Sequence, residues 1–148
     1  MVHDFKAFPE LTNNQMQMYY FQSPHKQVVE DFRAKVVKVT DGDTIKVSAS
    51  FRDFDFPVRL AFIAAPELNE GGEESRDWLA SQIEGLEVEV LIDKNNRVGR
   101  YGRLIGTIMS FGLNINEQSL LAGQSVPFNQ RKGNGVPSLT ATIKRAFL

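Results

Sequence analysis

Three short stretches carry the side chains with a capacity for chemistry. The first is the turn Thr40-Asp41-Gly42-Asp43-Thr44, the second runs from Val58-Arg59-Leu60 to Ala65-Pro66-Glu67, and the third is the loop Asn96-Arg97-Val98-Gly99-Arg100-Tyr101-Gly102-Arg103. Asp-Gly is foremost a turn signal, so structure alone accounts for Asp41 and Gly42. Asp43 lies one residue further, where a strand begins, and its carboxylate is the hard oxygen donor that Mg²⁺ or Ca²⁺ takes. A glutamate after proline is ordinarily a solvated loop residue, and a single strand arginine is ordinarily a surface ion pair. Arg97, Arg100 and Arg103 recur at every third position of a glycine-interrupted loop. Alone they read first as a solvated charge run; the sharper reading is a phosphate cradle, because guanidinium groups match phosphate oxygens in bidentate fashion.

Something must position these groups, and the surrounding pattern is mostly that of strands. Ala34, Val36 and Val39 mark one strand, and Ile45 and Val47 a second across the Asp41-Gly42-Asp43 turn. After the loop Phe51 to Pro57, a third strand is expected with Val58, Leu60 and Phe62 on one side and Arg59, Ala61 and Ile63 on the other. Residues 73–84 read as a helix with Trp78, Leu79 and Ile83 on one stripe and Gly85 as the stop. Val88, Val90 and Ile92 alternate with Glu87, Glu89, Leu91 and Asp93 in a fourth strand, and Leu104 to Met109 form a fifth. Phe111-Gly112 turns the chain, and Asn116 is expected to cap a helix over Glu117 to Ala122 that Gly123 ends.

This order predicts a mainly β fold: a five-stranded OB-type Greek-key barrel with two or three flanking helices and an N-terminal helical arm. The arm is residues 1–32, the barrel domain 33–128, and residues 129–148 a Gly- and Asn-rich loop with a short helix. Within the arm, Thr12 is expected to cap a helix to about Phe21, and Ser23-Pro24 to start another through Phe32. Met16, Met18, Tyr19, Tyr20 and Phe21 are too apolar for a free tail. They pack back onto the domain or dock a protein partner or a second copy of the chain.

With 148 residues there is room for one compact domain plus appended arms. Seventeen Lys and Arg against 18 Asp and Glu leave a net charge of −1, so the chain as a whole has no electrostatic pull on nucleic acid and any such binding needs a local basic patch. The absence of cysteine excludes disulfides and thiolate metal sites. No run approaches about 18 apolar residues and the first residues lack a secretory pattern, which predicts no membrane span and an intracellular, cytoplasmic protein.

Taken together and in this order, the DGDT turn, the strand ending in PE, the helix from Glu74, the EVEV strand, the RYGR loop and the NEQSLLAG segment resemble the staphylococcal nuclease (thermonuclease) family over about 95 of the 148 residues. The resemblance implies an OB barrel and a metal-dependent phosphodiesterase acting on DNA or RNA, single strands favoured. It places the two catalytic arginines on Arg59 and Arg103, the catalytic glutamate on Glu67 and one metal-binding aspartate on Asp43. A backbone carbonyl ligand falls on Ala65, and Asp41, Arg100 and Tyr101 fall on substrate-side positions. The implied cofactor is a divalent metal, Ca²⁺ first and Mg²⁺ or Mn²⁺ as alternatives. One departure matters: the family's second metal-binding aspartate falls on Ala64, which weakens the implied site. The loop Leu68 to Glu74 is short and acidic, which reduces affinity for nucleic acid on that side; Glu70 or Glu73 is a candidate replacement ligand. Two functions follow, a nuclease with a weakened metal site and a non-catalytic OB module that binds single-stranded nucleic acid or docks into a larger assembly. Arg59, Glu67 and Arg103 together favour the enzyme, and Ala64 favours the binder.

Overall fold

A computed structural model describes residues 3–99 and 102–128. Arg100, Tyr101 and the expected loop and helix of residues 129–148 lie outside the described residues. The first element is α1 (Asn13–Tyr19), followed by a 3₁₀ turn (Tyr20–Gln22). Its capping box is the one that Thr12 and Gln15 encode: the Thr12 hydroxyl accepts the Gln15 N–H, and the Gln15 side chain accepts the Thr12 N–H.

The strands follow as β1 (Phe32–Asp41), β2 (Thr44–Ser48), β3 (Phe56–Leu60) and the two-residue β4 (Ile63–Ala64). Then come α2 (Gly72–Ile83), β5 (Glu87–Leu91), β6 (Leu104–Ser110), β7 (Leu113–Asn114), α3 (Ile115–Leu121) and β8 (Val126–Pro127). Sheet neighbours run β3-β2-β1-β5-β6, and β3 also pairs with β6 in parallel, so five strands close on themselves. The expected OB-type barrel is what forms, with no long open edge among those five strands. Alternating Val36, Ile45, Val47, Val58, Val90 and Leu104 fill its interior, and Leu79 and Ile83 of α2 pack against them. The spacing Ala34, Val36, Val39 breaks strict alternation because the β1–β2 register shifts between Val36 and Lys38, a bulge that leaves Val37 and Lys38 both outside. No helix among the described residues is long and apolar enough to cross a membrane.

Three expectations are corrected. No helix follows Ser23-Pro24, because tertiary partners take the groups a helix would use. The Gln27 side chain donates to the Pro9 carbonyl and accepts the Leu11 N–H, while the Val28 carbonyl receives Arg97. Phe62 is not a core residue: β3 ends at Leu60, Phe62 takes a left-handed φ of 68° and is 64% exposed, and Ala61 and Ile63 on either side turn inward instead. The cap of α3 is Asn114, whose side chain accepts the Glu117 N–H. Asn116 is buried and ties β6 to the end of β3, accepting the Ile108 N–H and donating to the Ala61 carbonyl.

The first 32 residues hold to the barrel through a buried ionic cluster. Glu10 is 1% exposed and meets Arg52 Nη2 at 2.6 Å and Arg97 Nη2 at 3.7 Å. Arg97, which the sequence presents as part of a charge run, is buried and also donates to the carbonyls of Val28 and Leu11. Burial lowers the Arg97 pKa and the Glu10 carboxylate opposes that shift. Arg52 stacks on the Phe56 and Phe54 rings at 4.5 and 5.2 Å. By contrast α1 buries none of its residues, and Met18, Tyr20 and Phe21 are exposed.

Removing one partner of a buried ionic cluster leaves the others uncompensated, at a cost of about 3–5 kcal/mol. Glu10→Ala, which leaves two buried guanidinium groups without a carboxylate, should lose stability of that order in urea unfolding. A loss below about 1 kcal/mol would mean that the N-terminal segment is not anchored through Glu10.

Candidate active site

The β1–β2 turn is wedged into the rest of the molecule at Gly42. A Cβ there would stand 2.0 Å from Ser75 Oγ on α2 and 2.8 Å from the Ala65 Cβ, so only glycine permits the approach. Ser75 in turn donates to the Gln124 carbonyl at 2.7 Å, which ties α2 to the segment after α3. Asp43, next in the turn, is thereby delivered to the chain just beyond β4. Its Oδ2 accepts the Ala65 N–H at 2.9 Å, and its Oδ1 accepts the Thr44 hydroxyl at 3.1 Å. The Asp43 carbonyl accepts the Leu60 N–H at 2.8 Å, which joins the turn to the end of β3.

Arg59 lies between buried Val58 and Leu60, so it projects from the outer side of the barrel wall. There its Nη2 comes within 3.6 Å of Asp43 Oδ2, with both side chains largely but not wholly covered, at 13% and 10% exposure. Arg59 Nη1 donates to the Leu60 carbonyl at 3.2 Å, and the guanidinium lies 4.6 Å from the Phe128 ring centre. Arg103 immediately precedes β6, and the parallel β3–β6 pairing sets Arg59 opposite Ile105. Arg103 and Ile105 flank buried Leu104, so Arg103 falls on the same outer side as Arg59. Its Nε is buried with no hydrogen-bond partner among the described residues. Its position is set by the Gly99 N–H on the Arg103 carbonyl and the Ile105 N–H on the Arg97 carbonyl, at 2.8 and 2.7 Å.

Glu67 is exposed two residues after Ala65. Its carbonyl accepts the N–H groups of Glu70 and Gly72, at 2.8 and 2.9 Å, and a Cβ on Gly72 would stand 2.5 Å from that oxygen. The PELNEGG segment is therefore a tight turn that holds the Glu67 backbone in one place. Asp41 ends β1 opposite Thr44, whose other neighbour in the sheet is Arg59.

The structure thus brings Asp43, Arg59 and Ala65 into direct contact, keeps Glu67 and Asp41 within the same turn-and-strand neighbourhood and puts Arg103 on the same barrel face. Sequence reasoning missed the glycine wedge at Gly42 and the aromatic residue under Arg59, Phe128; neither has a local signature. No family model matches the chain. Over 102 residues it is 34% identical to an uncharacterized endonuclease of Escherichia coli O157:H7, covering 68% of this chain and 63% of that protein. Over 79 residues it is 40% identical to a micrococcal nuclease of Shigella flexneri, covering 53% of this chain and 42% of the relative.

These relatives support a staphylococcal nuclease-like family for this chain. The chain spans less than two thirds of their length. Measured against the metal that the family implies, the donors present are hard oxygens, the Asp43 carboxylate and the Ala65 carbonyl, which suit Ca²⁺ or Mg²⁺. Their charge is low. Ala64 supplies none, Asp43 is already paired with Arg59 and the Ala65 N–H, and no three His, Asp or Glu residues converge among the described residues. The residues fit a loosely held cation and not a resident one. Ala64 itself is 1% exposed in β4, opposite Val126, so a carboxylate there would enter a packed position.

The wedge makes a direct prediction. Gly42→Ala should lower unfolding stability by about 1–3 kcal/mol, the usual cost of overpacking, because both Ser75 and Ala65 must shift. A thermal melt matching the wild type would show that the turn has slack.

Proposed function

We propose that this chain is a nuclease that hydrolyses phosphodiester bonds of DNA or RNA, with single strands favoured. The observation that carries the reading is the Asp43–Arg59 pair: a guanidinium held against a mostly buried carboxylate, yet still partly exposed. A fixed cation of this kind meets the charge that builds on phosphoryl oxygens with little reorganisation, so it favours the transition state over the ground state. Arg59 and Arg103 bind the scissile phosphate and neutralise that charge. Glu67 orients the attacking water and accepts its proton. Asp41, Arg100 and Tyr101 contact the substrate on either side. The endonuclease and micrococcal nuclease relatives support the same chemistry.

A divalent cation, Ca²⁺ first, would be held by Asp43 and the Ala65 carbonyl, and when bound it adds positive charge at the phosphate. Ala64→Asp should tighten divalent-ion binding by at least about tenfold in calorimetric titration, judged by the effect of weaker outer-sphere changes. It should also destabilise the fold, since residue 64 is buried. Unchanged ion affinity would show that Ala64 does not stand in a ligand position.

The low charge at the cation site favours a second reading, a barrel that binds single-stranded nucleic acid without cutting it. Cleavage decides between them. With millimolar Ca²⁺, Mg²⁺ or Mn²⁺ the protein should cut single-stranded DNA or RNA, and Arg59→Ala or Glu67→Ala should each reduce the rate by about 100-fold or more. Cleavage indifferent to both changes would sink the proposed site; binding that depends on Arg59 and Arg103, with no cleavage under any metal, would establish the second reading.

A further inference from the structure

Two exposed phenylalanines among the described residues have left-handed backbones, and only one of them sits in a two-residue hairpin. Phe111, at φ 50°, is followed by Gly112 at φ 79° in the β6–β7 hairpin, where a tight two-residue turn asks for positive φ at both positions. Phe62, at φ 68°, sits in no such hairpin. A bulky residue in that region is an outlier, and one whose ring is also 64% exposed gains little from burial in return. The mount is nonetheless rigid. The Ala61 N–H donates to the Gly106 carbonyl at 2.8 Å, the Ala61 carbonyl accepts Asn116 Nδ2 at 2.9 Å, and Ile63 is buried.

The ring's place is as informative as its strain. The Phe62 carbonyl accepts the Phe128 N–H at 2.9 Å, which extends the antiparallel β4–β8 pairing, Ile63 to Pro127, by one step. Phe62 and Phe128 are therefore neighbours across this step of the pairing. Phe128 is 40% exposed and lies 4.6 Å from the Arg59 guanidinium. No aromatic contact among the described residues involves Phe62, and the residue is left largely open to solvent.

We propose that Phe62, with Phe128 beside it, is a stacking platform for an unpaired nucleobase next to the phosphodiester that Arg59 holds. This rests on the phosphate-binding reading of Arg59 and assigns a residue to the preference for single strands, because duplex bases present no face to a ring outside the helix. Aromatic stacking accepts any base, so the platform confers strand-state selectivity without sequence selectivity. Its rigid backbone means little side-chain and loop freedom is lost on binding.

The test is anisotropy with two phosphorothioate strands of equal length, oligo-dT and a fully abasic strand, which share a charged backbone and differ in bases. The variants are Phe62→Asn, whose side chain tolerates a left-handed backbone, and Phe62→Tyr, which keeps the ring. Phe62→Asn should bind oligo-dT at least about fivefold more weakly, the lower end of what one stacked base contributes. It should bind the abasic strand as wild type does, and melt no lower than wild type. Phe62→Tyr should restore oligo-dT binding. Equal loss on both strands, or none on oligo-dT, overturns the platform while leaving the Arg59 reading intact. Wild-type protein that binds neither strand overturns both.

Discussion

The site hangs on one hydrogen-bonded carboxylate, that of Asp43. With one oxygen on the Ala65 N–H and within reach of Arg59, it joins the β1–β2 turn, the end of β3 and the chain leaving β4. Arg59 and Ala65 are 16 and 22 residues away from it in sequence. Glycine at position 42 makes the approach sterically feasible, and charge makes it favourable. Remove the carboxylate and Arg59 loses its ion pair with Asp43, while the Ala65 N–H loses its acceptor.

Two ionic arrangements in the same chain show how burial sorts structure from function. Glu10 with Arg52 and Arg97 is almost wholly withdrawn from water, so its charges are committed to one another and to fixed carbonyls. Breaking such a set is costly and exchanging a partner is slow to repay. Asp43 with Arg59 is looser at 3.6 Å and retains some exposure. Such a pair sits in a higher effective dielectric, where an incoming phosphate can share the guanidinium without stranding the carboxylate. The cluster of three holds the N-terminal segment on; the pair stays within reach of solvent.

Much of the barrel was legible because strand periodicity and turn chemistry are local. The alternation of Val36, Ile45, Val47, Val58 and Val90, the Asp-Gly turn, the Thr12 capping box and the Gly85 stop all read correctly. What failed depended on distant partners. Arg97 reads as one of three evenly spaced surface charges, yet its acceptors come from Leu11 and Val28, 86 and 69 residues away. Ser23-Pro24 is a good helix start by local rules, but Gln27 and Val28 are claimed by tertiary hydrogen bonds. Phe62 continues a period-two pattern, and nothing in the pattern marks where β3 stops. Within the site, residue types were readable and their neighbours were not: the contact of Asp43 with Arg59 follows from closure of the barrel.

The apolar Ala64 and the pairing of Asp43 with Arg59 belong to one electrostatic account. Two clustered carboxylates repel and need a cation between them to be stable in a partly buried site. One carboxylate does not: Arg59 at 3.6 Å supplies a compensating charge from within the chain. With an apolar methyl at Ala64, fully packed against β8, the turn can fold in its bound geometry before any ion arrives. The same economy lowers the attraction for a divalent cation, since the site offers less net negative charge to it. Stability of the empty turn and affinity for any cation there would thus be opposed through a single side chain.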